Sequence, residues 1–118
     1  MRKSTTHTLL MLAAFLPATP LFAQIGGTGW IQGVVSDPSG AVIPGASVTA
    51  TNAATQVRST RQTTEAGLYN ISPLEAGEYS VTVTAGGFRT AVQEHVMVDA
   101  LASVSLNCRI RRRRLSWD

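Results

Sequence analysis

Apolar and polar residues alternate with a period of two along most of the chain beyond residue 30, in short bursts separated by turns. Such alternation puts every second side chain on one face of an extended strand, so that one face packs and the other stays wet. Residues 30–36 carry Ile31, Gly33 and Val35 on one face and Trp30, Gln32 and Val34 on the other. Ala46, Val48 and Ala50 then oppose Ser47, Thr49 and Thr51. The clearest case is 78–84, with Tyr79, Val81 and Val83 set inward against Ser80, Thr82 and Thr84. Leu68–Ser72 places Tyr69 and Ile71 together, 89–98 forms a sixth strand, and 101–107 opposes Ala102, Val104 and Leu106 to Ser103, Ser105 and Asn107. Residues 56–64 are polar, with Val57 their sole large aliphatic, and read as an exposed edge strand whose charges discourage pairing with other chains. No stretch beyond residue 24 has a helical period.

The turns between these bursts are written in backbone chemistry. Asp37-Pro38-Ser39-Gly40 combines a side chain that bonds its own backbone, a preset φ and a residue that accepts positive φ. Pro44-Gly45 repeats the device four residues later, Glu65-Ala66-Gly67 turns the chain again, and Gly86-Gly87-Phe88 does so after the fifth strand. Pro73 is expected to end the fourth strand and Leu74–Gly77 to form the next turn. Seven short strands with turns about every 8–12 residues predict an all-β, seven-stranded Greek-key β-sandwich. A domain this small buries only about 60–65% of its unfolded surface, so its stability should be modest.

The first residues follow a different plan. Arg2 and Lys3 precede the apolar run Leu9–Leu16, Pro17 and Pro20 break it, and Ala23 is a small residue before Gln24. That is the three-part pattern of a secretory signal peptide, 1–23, with cleavage expected after Ala23. A membrane span needs about 20 apolar residues, roughly twice this run. The chain is therefore read as exported, with no transmembrane helix in its mature part. Residues 24–29, Gln-Ile-Gly-Gly-Thr-Gly, read as a flexible spacer. No cysteine lies near the cleavage point to take a lipid. Cys108 is the single cysteine of the chain, so no internal disulfide forms although an exported protein could hold one.

Charge changes the picture only at the ends. The formal net charge is +3, but between Gln24 and Cys108 three arginines stand against six acids, whereas 109–118 holds five arginines and one aspartate. A body that is mildly acidic lacks the basic footprint that nucleic-acid binding needs, so no nucleic-acid partner is expected for the domain. The Arg-rich segment 108–118 reads as a disordered tail. It fits either a truncated or out-of-frame gene end or a basic tail for anionic lipid or nucleic acid.

Candidate chemistry is sparse. His95 stands alone between Glu94 and Val96 with no second His or Cys at metal-ligand spacing, and reads as a solvated strand residue. Ser36-Asp37 has no histidine to complete a nucleophile. Glu75 and Glu78 flank a turn and read as solvated, not as a glycosidase pair. Asn70-Ile71-Ser72 matches a glycosylation acceptor but falls within a strand. Cys108 is either a buried strand-end thiol or an accident of the tail. Trp30 and Phe88, if close together, would offer a surface on which a sugar ring stacks, although core or edge packing is the plainer reading and the one preferred. No catalytic residue, metal ligand or cofactor site is assigned.

One ordered pattern joins the landmarks: Gly33-x-Val35-x-Asp37-x-x-Gly40, Pro44-Gly45-Ala46-x-Val48, Thr64-x-x-Gly67-x-Tyr69, Leu74-x-x-Gly77-x-Tyr79-x-Val81-x-Val83, and Gly87-Phe88. It resembles the carboxypeptidase regulatory-like domain, a transthyretin-like (prealbumin-like, broadly immunoglobulin-like) sandwich, over roughly residues 30–107. The resemblance implies turn and core roles for these residues: glycines where φ is positive or backbones approach, Tyr69 and Tyr79 filling a small core, Leu74 capping the sheet. With the leader peptide and the Val83–Phe88 turn, the chain also looks like the N-terminal extension of TonB-dependent outer-membrane receptors of Gram-negative bacteria. That implies a non-catalytic accessory module in the periplasm or at the outer membrane, with another cell-envelope protein as partner. The alternative it allows is a carbohydrate-binding module with a polysaccharide partner. A regulatory domain of a metallocarboxypeptidase is a third; that enzyme's zinc ligands and glutamate belong to a separate domain and are not in this sequence.

Overall fold

A computed structural model describes residues 27–114. The expected leader at 1–23, residues 24–26 of the spacer and residues 115–118 lie outside them. Eight strands form two sheets: β1 (Thr28–Ser36), β2 (Ser47–Asn52), β3 (Arg58–Gln62), β4 (Leu68–Glu75), β5 (Gly77–Thr84), β6 (Ala91–Val98), β7 (Ser103–Ser105) and β8 (Cys108–Arg109). The described residues are all-β and make a sandwich, as the alternation predicts.

One sheet is centred on β1, which pairs antiparallel with β4 on one edge and parallel with β7 and β8 on the other. The second runs β3-β2-β5-β6, antiparallel throughout. Between them lies the core that the period-two pattern picks out. Ile31, Val35, Tyr69 and Ile71 from the first sheet meet Val48, Ala50, Tyr79, Val81 and Val83 from the second, all buried. Val96, Val98 and Leu74 close the end where β1 begins. The polar residues 56–64 do form an edge strand, β3.

Four expectations are corrected. The spacer does not reach residue 29, because β1 starts at Thr28 and Gly29 is buried beneath the carbonyls of Asp99 and Ala102. Pro73 does not end the fourth strand. β4 continues to Glu75 through a bulge that sets Ile71 opposite Ile31 and Leu74 opposite Gly29, and a bulge is where a strand tolerates a residue with no N–H. The seventh strand shrinks to Ser103–Ser105, with Leu101 84% exposed in the preceding turn.

The fourth correction is the tail. Segment 108–118 is not disordered from its start: Cys108 and Arg109 pair with Val35 and Ser36, and Ile110 donates its N–H to the Ser36 carbonyl at 2.9 Å. Ile110 is 1% exposed while its neighbours Arg109 and Arg111 face water. The run Cys-Arg-Ile-Arg is thus an amphipathic strand end, hidden from a sequence reading by its charge. Further on, Arg111 accepts from the Arg89 N–H at 2.7 Å and Arg113 donates to Gly87 at 2.8 Å, which clips the segment to the turn between β5 and β6.

Candidate functional site

The signature residues turn out to be scaffold. A Cβ built on Gly33 would stand 1.8 Å from the carbonyl oxygen of Leu106, so only glycine lets the last strand cross here. The Tyr69 hydroxyl donates to that same carbonyl at 2.5 Å, Leu106 N–H bonds Gln32 at 2.8 Å, and Asn107 Oδ1 accepts from Val34 N–H at 3.1 Å. One glycine, one buried tyrosine and one amide side chain therefore carry β1's ladder across the gap between β7 and β8. Desolvation raises the Tyr69 phenol far above its ordinary pKa, with the neighbouring Cys108 adding to the shift. Cys108 itself is half-buried and packed against the core, its thiol pushed up by burial. Of the two readings of Cys108, the strand-end thiol is the observed one.

At the far end of β1, the Asp37 carboxylate organises the double turn. It accepts from Ser39 Oγ at 2.5 Å, Ser39 N–H at 2.9 Å and Ala41 N–H at 3.1 Å, and its pKa is lowered first by the Ser39 hydroxyl, then by these backbone N–H groups. Gly40 and Gly45 hold the positive φ of this double turn, Pro44 is exposed on it, and Gly87 does the same in the β5–β6 turn. Gly67, at φ 75°, lies under Val42 and the Val35 carbonyl, and Gly77 opens β5. Tyr79 is 4% exposed and donates to the Glu75 carbonyl at 2.7 Å. Sequence reasoning missed Thr63. It is 6% exposed, donates Oγ1 to Ile43 at 2.7 Å and accepts from Ala46 N–H at 2.8 Å, pinning the second half of the double turn. The signal that finds it is register: Ser47 pairs with Gln62, so the next position inward opposes Ala46.

Trp30 and Phe88 are not neighbours. Trp30 sits near the start of β1 opposite Ser103, whereas Phe88 is bridged to Arg112 beyond the other end of β1. Six residues of strand separate the two levels, about 20 Å at 3.3 Å each. Phe88 is instead half-buried under the guanidinium of Arg112, 5.7 Å from its ring centroid. A shared stacking surface built from both rings is therefore ruled out.

What Trp30 does share is the outer face of the β4-β1-β7 sheet. Gln32 lies between Asn70 on β4 and Ser105 on β7, forming a row of exposed uncharged polar side chains across three strands. Trp30, half-buried, flanks this row on one side, and Val34 with Leu68 on the other. An open depression of about 590 Å³ runs over Gln32, Asn70, Ser105 and Asn107 toward Arg61. Arg61 closes the sandwich edge there, donating Nη2 from β3 to the Ser72 carbonyl of β4 at 3.0 Å. Asn70, of the Asn70-Ile71-Ser72 match, is exposed on this face.

Among the described residues, the one histidine lies on β6. Exposed His95 occupies a bulge in β6 at φ 60° and pairs through Nδ1 with Glu78, whose hydrogen bond and charge raise the imidazole pKa. Among the described residues, no group of three or more His, Cys, Asp or Glu side chains is placed to hold a metal ion. Nor do the described residues include a helix long and apolar enough to cross a membrane.

The profile of the carboxypeptidase regulatory-like domain matches residues 30–111, well over half of the chain. The chain belongs to that family. The match runs through Ile110, in agreement with the ordered end of the last strand. Among curated protein sequences none matches significantly. Solved structures share the fold at low identity. A candidate carbohydrate-binding protein from Bacteroides uniformis superposes with TM-score 0.59 at 19% identity, over 72% of this chain and 42% of that one. Wild-type catechol 1,2-dioxygenase from Acinetobacter radioresistens gives 0.59 at 14% identity, over 78% and 54%. The minor pilin GBS52 of Streptococcus agalactiae gives 0.59 at 13%, over 78% and 48%. The chain spans about half the length of these proteins or less, and one sandwich serves a dioxygenase, a pilin and a candidate sugar binder. The likeness establishes the fold alone.

Proposed function

We propose that this carboxypeptidase regulatory-like domain is a non-catalytic accessory module of an exported cell-envelope protein, of the kind that precedes the plug and barrel of TonB-dependent outer-membrane receptors. The observation that carries the reading is where its signature residues go. Gly33, Asp37, Gly67, Tyr69 and Tyr79 are all engaged in turns, ladder bonds or core, which favours a scaffold over an enzyme. The leader pattern of residues 1–23 supports export.

Two measurements test it. Expressed in a Gram-negative host and fractionated, the chain should appear in the periplasm or with the outer membrane, with Gln24 as the N-terminal residue by mass spectrometry. A cytoplasmic, unprocessed chain would overturn export. Sequencing of the surrounding DNA should reveal plug and barrel coding in the same neighbourhood; its absence in any frame sinks the receptor assignment.

A second reading has one observation of its own. The uncharged row Asn70-Gln32-Ser105 beside Trp30 offers amide donors and acceptors next to an aromatic face, which is the chemistry that holds a neutral polysaccharide. Calorimetry against soluble glucans and xylans, repeated with Trp30→Ala and Asn70→Ala, tests it, with Phe88→Ala as a control on the other end of β1. Binding lost in the first two variants and kept in the third supports a carbohydrate module; no binding to any glycan refutes it.

A further inference from the structure

The Arg-rich segment is part of the sandwich, and that changes what its charge can do. Cys108–Arg109 is paired to β1, Ile110 is buried, and backbone bonds from Arg89 to Arg111 and from Arg113 to Gly87 hold the next residues against the β5–β6 turn. Six arginines, Arg89, Arg109, Arg111, Arg112, Arg113 and Arg114, are thereby gathered at one pole, all exposed. Among the described residues no carboxylate lies within ion-pair distance of any of them, and Asp37, whose pKa Arg112 helps to lower, turns Oδ1 into its own turn, where it accepts from Ser39 and Ala41. Glu65 is the other acid at this end, on the turn whose Gly67 carbonyl binds Val35. At the opposite pole stand Glu75, opposite the first residue of β1, and Glu78 and Asp99 beside it.

The described residues are thus polarised along β1, with a fixed basic cap at one end and, at the other, acids that outnumber Arg58. Beside that cap lie apolar groups open to solvent: Val42, 45% exposed, exposed Pro44 and the partly covered ring of Phe88, together lining a shallow depression with Arg112. Arginines next to small apolar and aromatic groups fit the interfacial zone of a bilayer, where cations meet headgroup phosphates and apolar tips enter the boundary region. A planar target also exploits the polarity, because docking by the basic cap keeps the acidic pole away from the surface.

We propose that the basic pole of this domain docks onto an anionic lipid surface, with Arg111, Arg112 and Arg113 as its central contacts and Val42 and Phe88 as shallow apolar anchors. The choice of lipid over nucleic acid rests in part on the export reading above. The test uses sedimentation of the full chain with vesicles of phosphatidylcholine alone and of phosphatidylcholine containing phosphatidylglycerol. Comparison with the triple variant Arg111→Gln, Arg112→Gln, Arg113→Gln cancels any contribution of the apolar N-terminal run, which both chains share.

The native chain should bind the anionic vesicles more tightly and lose that preference as salt rises. The triple variant should bind them on the order of a hundredfold less, at about fivefold per arginine. The Arg→Lys triple should retain most binding and, with circular dichroism matching the native chain, guards against an unfolded variant. Equal binding to both vesicle types, or a Gln variant indistinguishable from the native chain, overturns the proposal. So does retention of double-stranded DNA under the same conditions with no vesicle binding, which would assign the cap to nucleic acid. None of these outcomes bears on export, which fractionation reads separately.

Discussion

At the level of single residues, the crossing of β1 and the last strand is the least forgiving point of the fold. Gly33→Ala drives a methyl into the Leu106 carbonyl at a separation no side chain tolerates, so strand and ladder must part. We expect a loss of about 2–4 kcal/mol by urea unfolding. Tyr69→Phe removes one hydrogen bond to the same carbonyl and should cost about 1 kcal/mol. If both variants lose equal stability, the glycine matters for something other than close approach. The same tyrosine makes stability depend on alkaline pH. Burial raises the pKa of Tyr69 and of Cys108, so the fold favours the neutral form of each acid. Their contribution is complete below the unfolded values, about 8.5 for the thiol and 10 for the phenol, and disappears as pH rises through the folded ones. Urea midpoints should therefore fall above about pH 9, and fall less steeply in a Tyr69→Phe, Cys108→Ser chain. His95 works in the same direction at lower pH. Its pKa is raised by Glu78, so the stabilisation it gives is complete below the imidazole's unfolded value and fades as pH climbs past the folded one. A Glu78→Gln chain should lose that slope.

Among the elements, those with uninterrupted alternation were legible and those with mixed demands were not. β2 and β5 read directly, because Val48, Ala50, Tyr79, Val81 and Val83 repeat with the pleat and are buried as the period requires. β4 reads too short in the sequence because Pro73 removes a donor, and a sequence does not reveal that a bulge places that missing donor where no partner needs it. β8 was missed for a different reason. Four consecutive arginines dominate the window, and Ile110, the apolar residue just before them, carries too little pattern to outweigh them. Its burial gives a sharp test. Ile110→Ala should cost about 2–5 kcal/mol, as for other buried large-to-small changes, whereas Arg111→Gln should stay within about 0.5 kcal/mol. A chain ending at Asn107 should unfold well before the full one in a thermal melt. A melting temperature unchanged by that truncation would restore the disordered-tail reading. The candidate sugar-stacking pair failed because strand order, not strand identity, fixes distance. Trp30 and Phe88 lie at opposite ends of β1, and nothing in either local window says so.

For the molecule as a whole, charge totals misled until the fold placed the charges. The net charge of +3 hides two opposed clusters, and the sandwich sends them to opposite ends of β1 because the β4–β5 turn and the Arg-rich strand end lie at opposite ends of the same sheet. The polarity has an intrinsic cost apart from any ligand. Six guanidinium groups held on one cap, against Asp37 and Glu65 alone among the described residues, repel one another through solvent, a repulsion that salt screens over a Debye length of about 10 Å at 0.1 M. Raising sodium chloride from low to physiological strength should screen that repulsion and lift the melting temperature by a few degrees. Replacing Arg113 and Arg114 by glutamine should raise the melting temperature at low salt and flatten its salt dependence. Both residues are exposed, and Arg113 contributes to the clip through its backbone N–H, which the substitution keeps. A salt response of the same size in both chains would show that the cap does not oppose folding. A smaller response in the variant would mean that the fold tolerates a concentration of charge its own stability does not favour, as expected of a surface kept for an anionic partner.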